Sequence, residues 1–275
     1  FLVPQLRREF GVCAGNIAYY LKLLGGAPLI MATVGDDAGP YLRRMDELEL
    51  ARNHVRQLSN TLTAQAFITT DLDDNQITAF HPGAMEFSHM NHVSDWMNVN
   101  LGIVAPDGRE GMLQHARELA QHGVPFIFDP GQGLPMFSGP ELLNFVSQAT
   151  YLAVNDYEGK LLEERTGKPI EALSELVEAL IVTRGASGSN IYTGGQRIDI
   201  PCVKAKELVD PTGCGDAYRA GLLYGISNRH DWQTTGQLAS VMGCIKIGSR
   251  GGQNHQATRE QIARLYRHNF QSDIW

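Results

Sequence analysis

The heptapeptide Asp210-Pro211-Thr212-Gly213-Cys214-Gly215-Asp216 runs directly into a helical pattern over residues 217–224. Two glycines around one small residue at a helix mouth leave main-chain N–H groups without intrahelical acceptors. The helix dipole adds partial positive charge there, so Gly213, Cys214 and Gly215 form a candidate anion cradle. Asp216, in the first turn, sets an ionised carboxylate beside any bound phosphoryl group, where it can take a proton from an attacking hydroxyl. The same residues also read as a glycine turn with an acidic helix cap. Further upstream, Asn16 falls in the first turn of a helix over 17–24, where its amide can cap the helix or face a sugar. Asn155 and Glu158 have the spacing of a capping box.

Other clusters carry less chemistry. Asp71, Asp73 and Asn75 mimic the start of a calcium loop, but Gln76 stands where glycine is needed and Pro82 where a bidentate Glu is needed. His89 and His92 lack an evident third zinc ligand nearby and read as a solvated pair. Neither Gly-x-x-x-x-Gly-Lys nor Gly-x-Gly-x-x-Gly occurs, which removes the P-loop and dinucleotide readings.

The elements that must position these groups follow from periodicity. Strands are predicted over 99–105, 124–128, 151–154 and 180–183, alternating with helices over 110–121, 141–148, 156–165 and 170–179. Strict alternation implies right-handed crossovers and a doubly wound α/β core with a mainly parallel sheet. Residues 64–70 and 76–80 are β-rich runs joined by turn residues, an inserted hairpin that reads as an edge addition or a lid.

The 275 residues are long enough for one α/β domain with small insertions, and 29 glycines exceed the usual share of about 7%. A net charge of −7 without blocks of like charge argues against nucleic acid as a partner. Cys13, Cys202, Cys214 and Cys244 are scattered without a Cys-x-x-Cys pair, which reads as reduced thiols in the cytoplasm. No apolar run approaches a membrane span. The chain opens on Phe1 inside an apolar stretch, and the expectation is that its true beginning lies upstream.

The Asp-x-x-Gly-x-Gly-Asp element resembles the C-terminal signature of the ribokinase-like (PfkB) carbohydrate and nucleoside kinases. Three further segments fit that family in order. Gly11-Val12-Cys13-Ala14-Gly15-Asn16 is similar to its N-terminal Gly-Gly…Asn signature, Asn155-Asp156-Tyr157-Glu158 to its Asn-x-x-Glu motif, and Thr183-Arg184-Gly185 with Gly188 to its nucleotide-side strand and turn. With residues 63–70, 129–133 and 253–255, the chain is most similar to bacterial adenosine kinases.

The resemblance implies roles. Asp216 would be the catalytic base, and Gly213, Cys214 and Gly215 the anion hole over the transferring phosphate. Gly11, Val12 and Asn16 would bind the substrate. Asn155 and Glu158 would organise magnesium, through water, and the triphosphate of ATP. Thr183 and Gly185 would contact nucleotide phosphates, although a plain β-turn at 185–188 reads equally well. A monovalent cation, with potassium as the candidate, would lie near Asp210 and Thr212. The expected reaction is ATP-dependent phosphorylation of the 5′-hydroxyl of adenosine. A sugar kinase for ribose or a related furanose and a non-catalytic nucleoside-binding protein remain as alternatives. Lid strands are expected over about 1–10 and 61–82 of a single domain, and pairing through them would allow a homodimer.

Two departures accompany the resemblance. The family's second glycine is Val12 here, and a β-branched residue tolerates positive φ badly. The first-strand Asp that grips substrate hydroxyls in the family has no counterpart before Gly11.

Overall fold

The computed structural model describes residues 6–70, 76–95 and 99–275. In chain order its elements are α1 (Cys13–Leu23), β1 (Ala32–Val34), α2 (Gly39–Glu47), β2 (Val55–Gln57), β3 (Gln65–Thr70), β4 (Gln76–His81) and β5 (Gly102–Val104). They continue through α3 (Arg109–Gln121), β6 (Phe126–Phe128), α4 (Gly139–Gln148), β7 (Tyr151–Asn155), α5 (Asp156–Thr166) and α6 (Ile170–Ser174). The last are β8 (Ala179–Thr183), β9 (Ser189–Thr193), β10 (Gln196–Ile200), α7 (Cys214–Ser227), α8 (Trp232–Ile247) and α9 (Arg259–Phe270). This is the α/β class that the alternating pattern predicts. The chain's residues group into two compact units.

The unit formed by residues 29–178 carries β5, β6 and β7 as parallel neighbours, with Ile103 opposite Ile127 and Phe128 opposite Leu152. Phe126, Ile127 and Phe128 are fully buried, as a strand covered on both faces requires. The Phe128 and Phe145 rings stack with centroids 4.4 Å apart, and Phe137 meets Phe145 edge-on at 4.9 Å, which holds α4 against β6. The expected hairpin is present as an antiparallel pair, β3 with β4, registering Phe67 with Ala79 and Thr69 with Ile77. Its predicted turn, including the Asp71-Asp73-Asn75 set, lies outside the described residues. Phe67, Ile77 and Phe80 are exposed on it. His89 lies in a 3₁₀ segment over Gly83–Met90, and the ring of His92, just after it, is held by Glu118 (2.8 Å).

The other unit holds the described residues up to Pro28 together with Ala179–Trp275. Here β8, β9 and β10 form an antiparallel meander, with Ile181 opposite Ile191 and Ile191 opposite Ile198. The antiparallel return is a departure from the parallel pattern, caused by the tight turn at Gly185–Ser187. A side chain at Gly188 (φ 83°) would stand 2.1 Å from the Ile200 carbonyl, so only glycine closes this turn. Helices α7 and α8 approach at backbone distance: a Cβ at Gly221 would lie 2.4 Å from Ala239 Cα, and one at Gly225 2.5 Å from Thr235 Oγ1. Glycines four apart on α7 therefore face small residues four apart on α8, and this fixes where the mouth of α7 points. Residues 6–10 have no regular structure, so the lid strand expected over 1–10 is not formed there. The helix expected over 170–179 ends at Ser174, and Ala179 belongs to β8. Among the described residues no helix is long and apolar enough to cross a membrane.

Candidate functional site

The α7 mouth has the geometry that two glycines and a small residue allow. Gly213 is its N-cap in the left-handed region (φ 84°), and the Cys214 amide bonds back to the Pro211 carbonyl (3.1 Å). The first bond into the helix runs from the Ala217 amide to the Gly213 carbonyl (2.9 Å), so the Gly215 amide has no acceptor within the helix. Nothing lies within 4 Å of where a Gly215 Cβ would stand, which leaves the mouth open. This is a cradle for an oxyanion at the positive end of a helix.

Asp216 is the third residue of α7 and does not act as its N-cap. Its Oδ2 accepts from Asn16 Nδ2 at 2.7 Å. The Asn16 side chain is 4% exposed, and its Oδ1 accepts from Gln253 Nε2 (3.2 Å). The amide thus has its nitrogen toward the carboxylate and its oxygen toward Gln253. Gly252 closes the other side, since a Cβ there would come within 2.3 Å of Asn16 Oδ1. Tyr20, one turn after Asn16 on α1, donates from its hydroxyl to the Gly252 carbonyl. Burial, with the Asp216 charge second, holds the Tyr20 phenol well above its ordinary value, so it remains a neutral donor. A Gly213 side chain would meet the Tyr20 hydroxyl at 3.2 Å, so this floor is packed against the cradle.

Tyr20, Gly252 and Lys246 were missed by sequence reasoning, and Gln253 entered it only through resemblance. The available signals were the four-residue spacing of Asn16 and Tyr20 and the Gly251-Gly252 doublet.

Val12 is the N-cap of α1 at φ 73°, ψ 145°, with its carbonyl accepting from the Asn16 amide (3.0 Å). Of the two backbone states open to it from the sequence, the glycine-like one is adopted, at a steric cost to a β-branched residue. Gly11 precedes it, and a Cβ there would meet nothing within 4 Å. The Cys214 thiol is pushed up to about 11 by burial, against the opposing effect of Lys246, so it is a neutral group and not a nucleophile.

Asn155 and Glu158 make the capping box in full: the Glu158 amide donates to Asn155 Oδ1 (2.7 Å) and the Asn155 amide to Glu158 Oε2 (2.8 Å). Each acceptance uses part of the oxygen capacity of these groups, so water held for magnesium remains compatible with them. Thr183 closes β8 opposite Ser189, and Gly185 (φ 52°) opens a turn in which the Gly188 amide donates to the Gly185 carbonyl (3.1 Å).

At Asp210, where a monovalent cation is expected, the oxygens already have donors. The Asp210 carboxylate accepts from the Thr212 amide (2.9 Å) and the Gly251 amide (2.9 Å), and its carbonyl accepts from Lys246 Nζ (2.8 Å). Burial opposes the charge on Asp210, yet these amides and the lysine hold its carboxyl below the usual range.

Comparisons with known proteins show which family the chain resembles. Residues 2–259 match the pattern of the pfkB family carbohydrate kinases. The nucleoside kinase of Burkholderia thailandensis in complex with inosine is 55% identical, with a TM-score of 0.97 over 99% of this chain and 90% of that one. A second structure of that enzyme, in complex with ADP-inosine, gives a TM-score of 0.95 at 55% identity over 99% of this chain and 86% of that one. The nucleoside kinase of Methanocaldococcus jannaschii is 32% identical over 272 residues, covering 98% of this chain and 89% of that protein.

Proposed function

Because the chain belongs to the pfkB family of carbohydrate kinases, we propose that it transfers the γ-phosphoryl group of ATP to the 5′-hydroxyl of a nucleoside, with adenosine as the first-choice acceptor. The observation that carries this reading is the Asn16 amide on the Asp216 carboxylate at the open mouth of α7. A phosphoryl acceptor needs a base beside its hydroxyl and donors at the phosphate, and both stand within the first turn of one helix.

In this reading Asp216 accepts the hydroxyl proton as the new O–P bond forms and the bond from phosphorus to ADP breaks. The amides at Gly213, Cys214 and Gly215 offset charge on the phosphoryl oxygens. Asn16 orients the carboxylate and, with Gly11 and Val12, borders the sugar. Asn155 and Glu158 would hold magnesium through water, and the ion supplies neutralising charge on the triphosphate. Thr183 and Gly185 border the nucleotide. The β3–β4 hairpin is the lid in this reading; Phe67 and Ile77 share one exposed face of it and Phe80 lies on the other. The inosine-bound relative supports a purine nucleoside over a free sugar.

The test is ADP release with magnesium and ATP across adenosine, inosine, ribose and fructose. Preference for a nucleoside is expected, with adenosine against inosine setting the base preference. Preference for a free sugar overturns the nucleoside assignment. A rise in melting temperature with adenosine but no ADP from any acceptor identifies a binding protein instead.

A further inference from the structure

Lys246 is the penultimate residue of α8, and its side chain is fully buried. Its Nζ donates to two main-chain carbonyls, those of Asp210 and Ser249, at 2.8 Å each. A buried ammonium carries a large desolvation cost and is ordinarily met by a carboxylate. Here carbonyl dipoles hold it, the donor chemistry by which proteins hold monovalent ions. The nearby carboxylate of Asp210 is turned instead to the amides of Thr212 and Gly251.

The two carbonyls belong to the two loops that build the site. Asp210 begins the turn that ends in the Gly213–Gly215 cradle, and Pro211 in that turn accepts from the Cys214 amide. Ser249 begins the turn that leads to Gly251 and to Gly252, which packs on Asn16. One ammonium therefore ties the anion cradle to the wall behind the Asn16–Asp216 pair. A dissolved cation at these carbonyls would stand against the like charge of the ammonium already at hydrogen-bond distance from both.

We infer that Lys246 is a tethered cation in the place of a dissolved monovalent ion, so that the loops around the cradle are set without potassium. Lys246 is a positioning residue in this scheme. Its charge also reaches Asp210, Cys214 and His255. The rate consequence rests on the kinase reading, whereas the structural consequence does not.

The test compares the full chain in potassium, sodium and choline chlorides at one ionic strength. The unmodified protein is expected to unfold at the same temperature in all three, and a midpoint raised by potassium alone overturns the inference. Its phosphoryl-transfer rate is expected to agree within about twofold between potassium and choline; activation of about tenfold or more by potassium overturns it as well. Lys246→Ala is expected to melt lower and to recover with potassium or methylammonium but not choline. A folded Lys246→Ala protein that no small cation restores shows a merely structural lysine and also overturns it. If that variant does not fold in any salt, the unmodified protein's midpoints decide. Absence of turnover in every salt counts against the kinase reading and leaves the unfolding comparison decisive for Lys246.

Discussion

Asn16 and Asp216, 200 positions apart, meet through a 2.7 Å hydrogen bond from an amide nitrogen to a carboxylate oxygen. The contact joins the first helix of its unit to the mouth of α7, and it leaves the carboxylate oriented by a buried group that cannot turn over. Gln253 occupies the amide oxygen, so rotation of Asn16 would face donor against donor.

Asp216→Asn keeps the shape of the site and removes the proton acceptor. Turnover is expected to fall by about 10³-fold, with equilibrium binding of ATP nearly intact. Steady-state rates with a nucleotide-binding titration check this, and near-normal turnover removes the base assignment.

Gly252→Ala places a methyl group 2.3 Å from Asn16 Oδ1, a separation that Asn16 must relieve by moving. The expected result is a loss in kcat of about 10- to 100-fold, from misplacement of a group that orients the base. Kinetics alongside a melting curve separate this from unfolding. Wild-type kcat in a folded variant would show that Asn16 does not position Asp216.

Val12→Gly removes a β-branched side chain from a backbone that glycine adopts freely. Relief of about 1–3 kcal/mol of strain outweighs roughly 1 kcal/mol of added chain entropy in the unfolded state. A net gain of about 1 kcal/mol is expected from urea unfolding. A less stable variant would mean that the Val12 conformation carries no strain.

His255 is stacked on Tyr20 with centroids 5.2 Å apart, and both its ring nitrogens are buried without hydrogen-bond partners among the described residues. Burial first, and Lys246 second, lower it from 6.5 to about 4. Between those values the unfolded chain binds a proton that the folded chain refuses, so stability is full above pH 6.5 and declines as pH falls toward 4. The loss is roughly 3 kcal/mol across that window. His255→Phe keeps the stack and removes the titration, so its urea midpoint is expected to fall less between pH 6.5 and 4.5. An unchanged slope would assign the acid sensitivity elsewhere.

The chemistry of α7 was legible in the sequence because it is local. The Gly213-Cys214-Gly215 mouth and the Asn155–Glu158 capping box each depend on residues within one turn, where main-chain geometry follows directly from residue type. The α/β alternation was legible for the same reason, since strand and helix periods are properties of neighbouring residues. The end of α6 at Ser174, five residues before β8 begins, escaped this reading.

What only the tertiary structure decided lies in contacts between distant segments. Asn16 reads in the sequence as a helix cap or a sugar contact, and that its nitrogen donates to Asp216 follows only from the packing of α1 on α7. A basic residue in the last turn of a helix, as Lys246 is in α8, is favourable to the dipole while exposed to solvent. Lys246 is buried instead, since its ammonium reaches carbonyls 36 residues before it and three after it. Residue type states which groups a side chain can bond. Which of them come within 3 Å is set by how the helices pack, and that depends on the whole core at once.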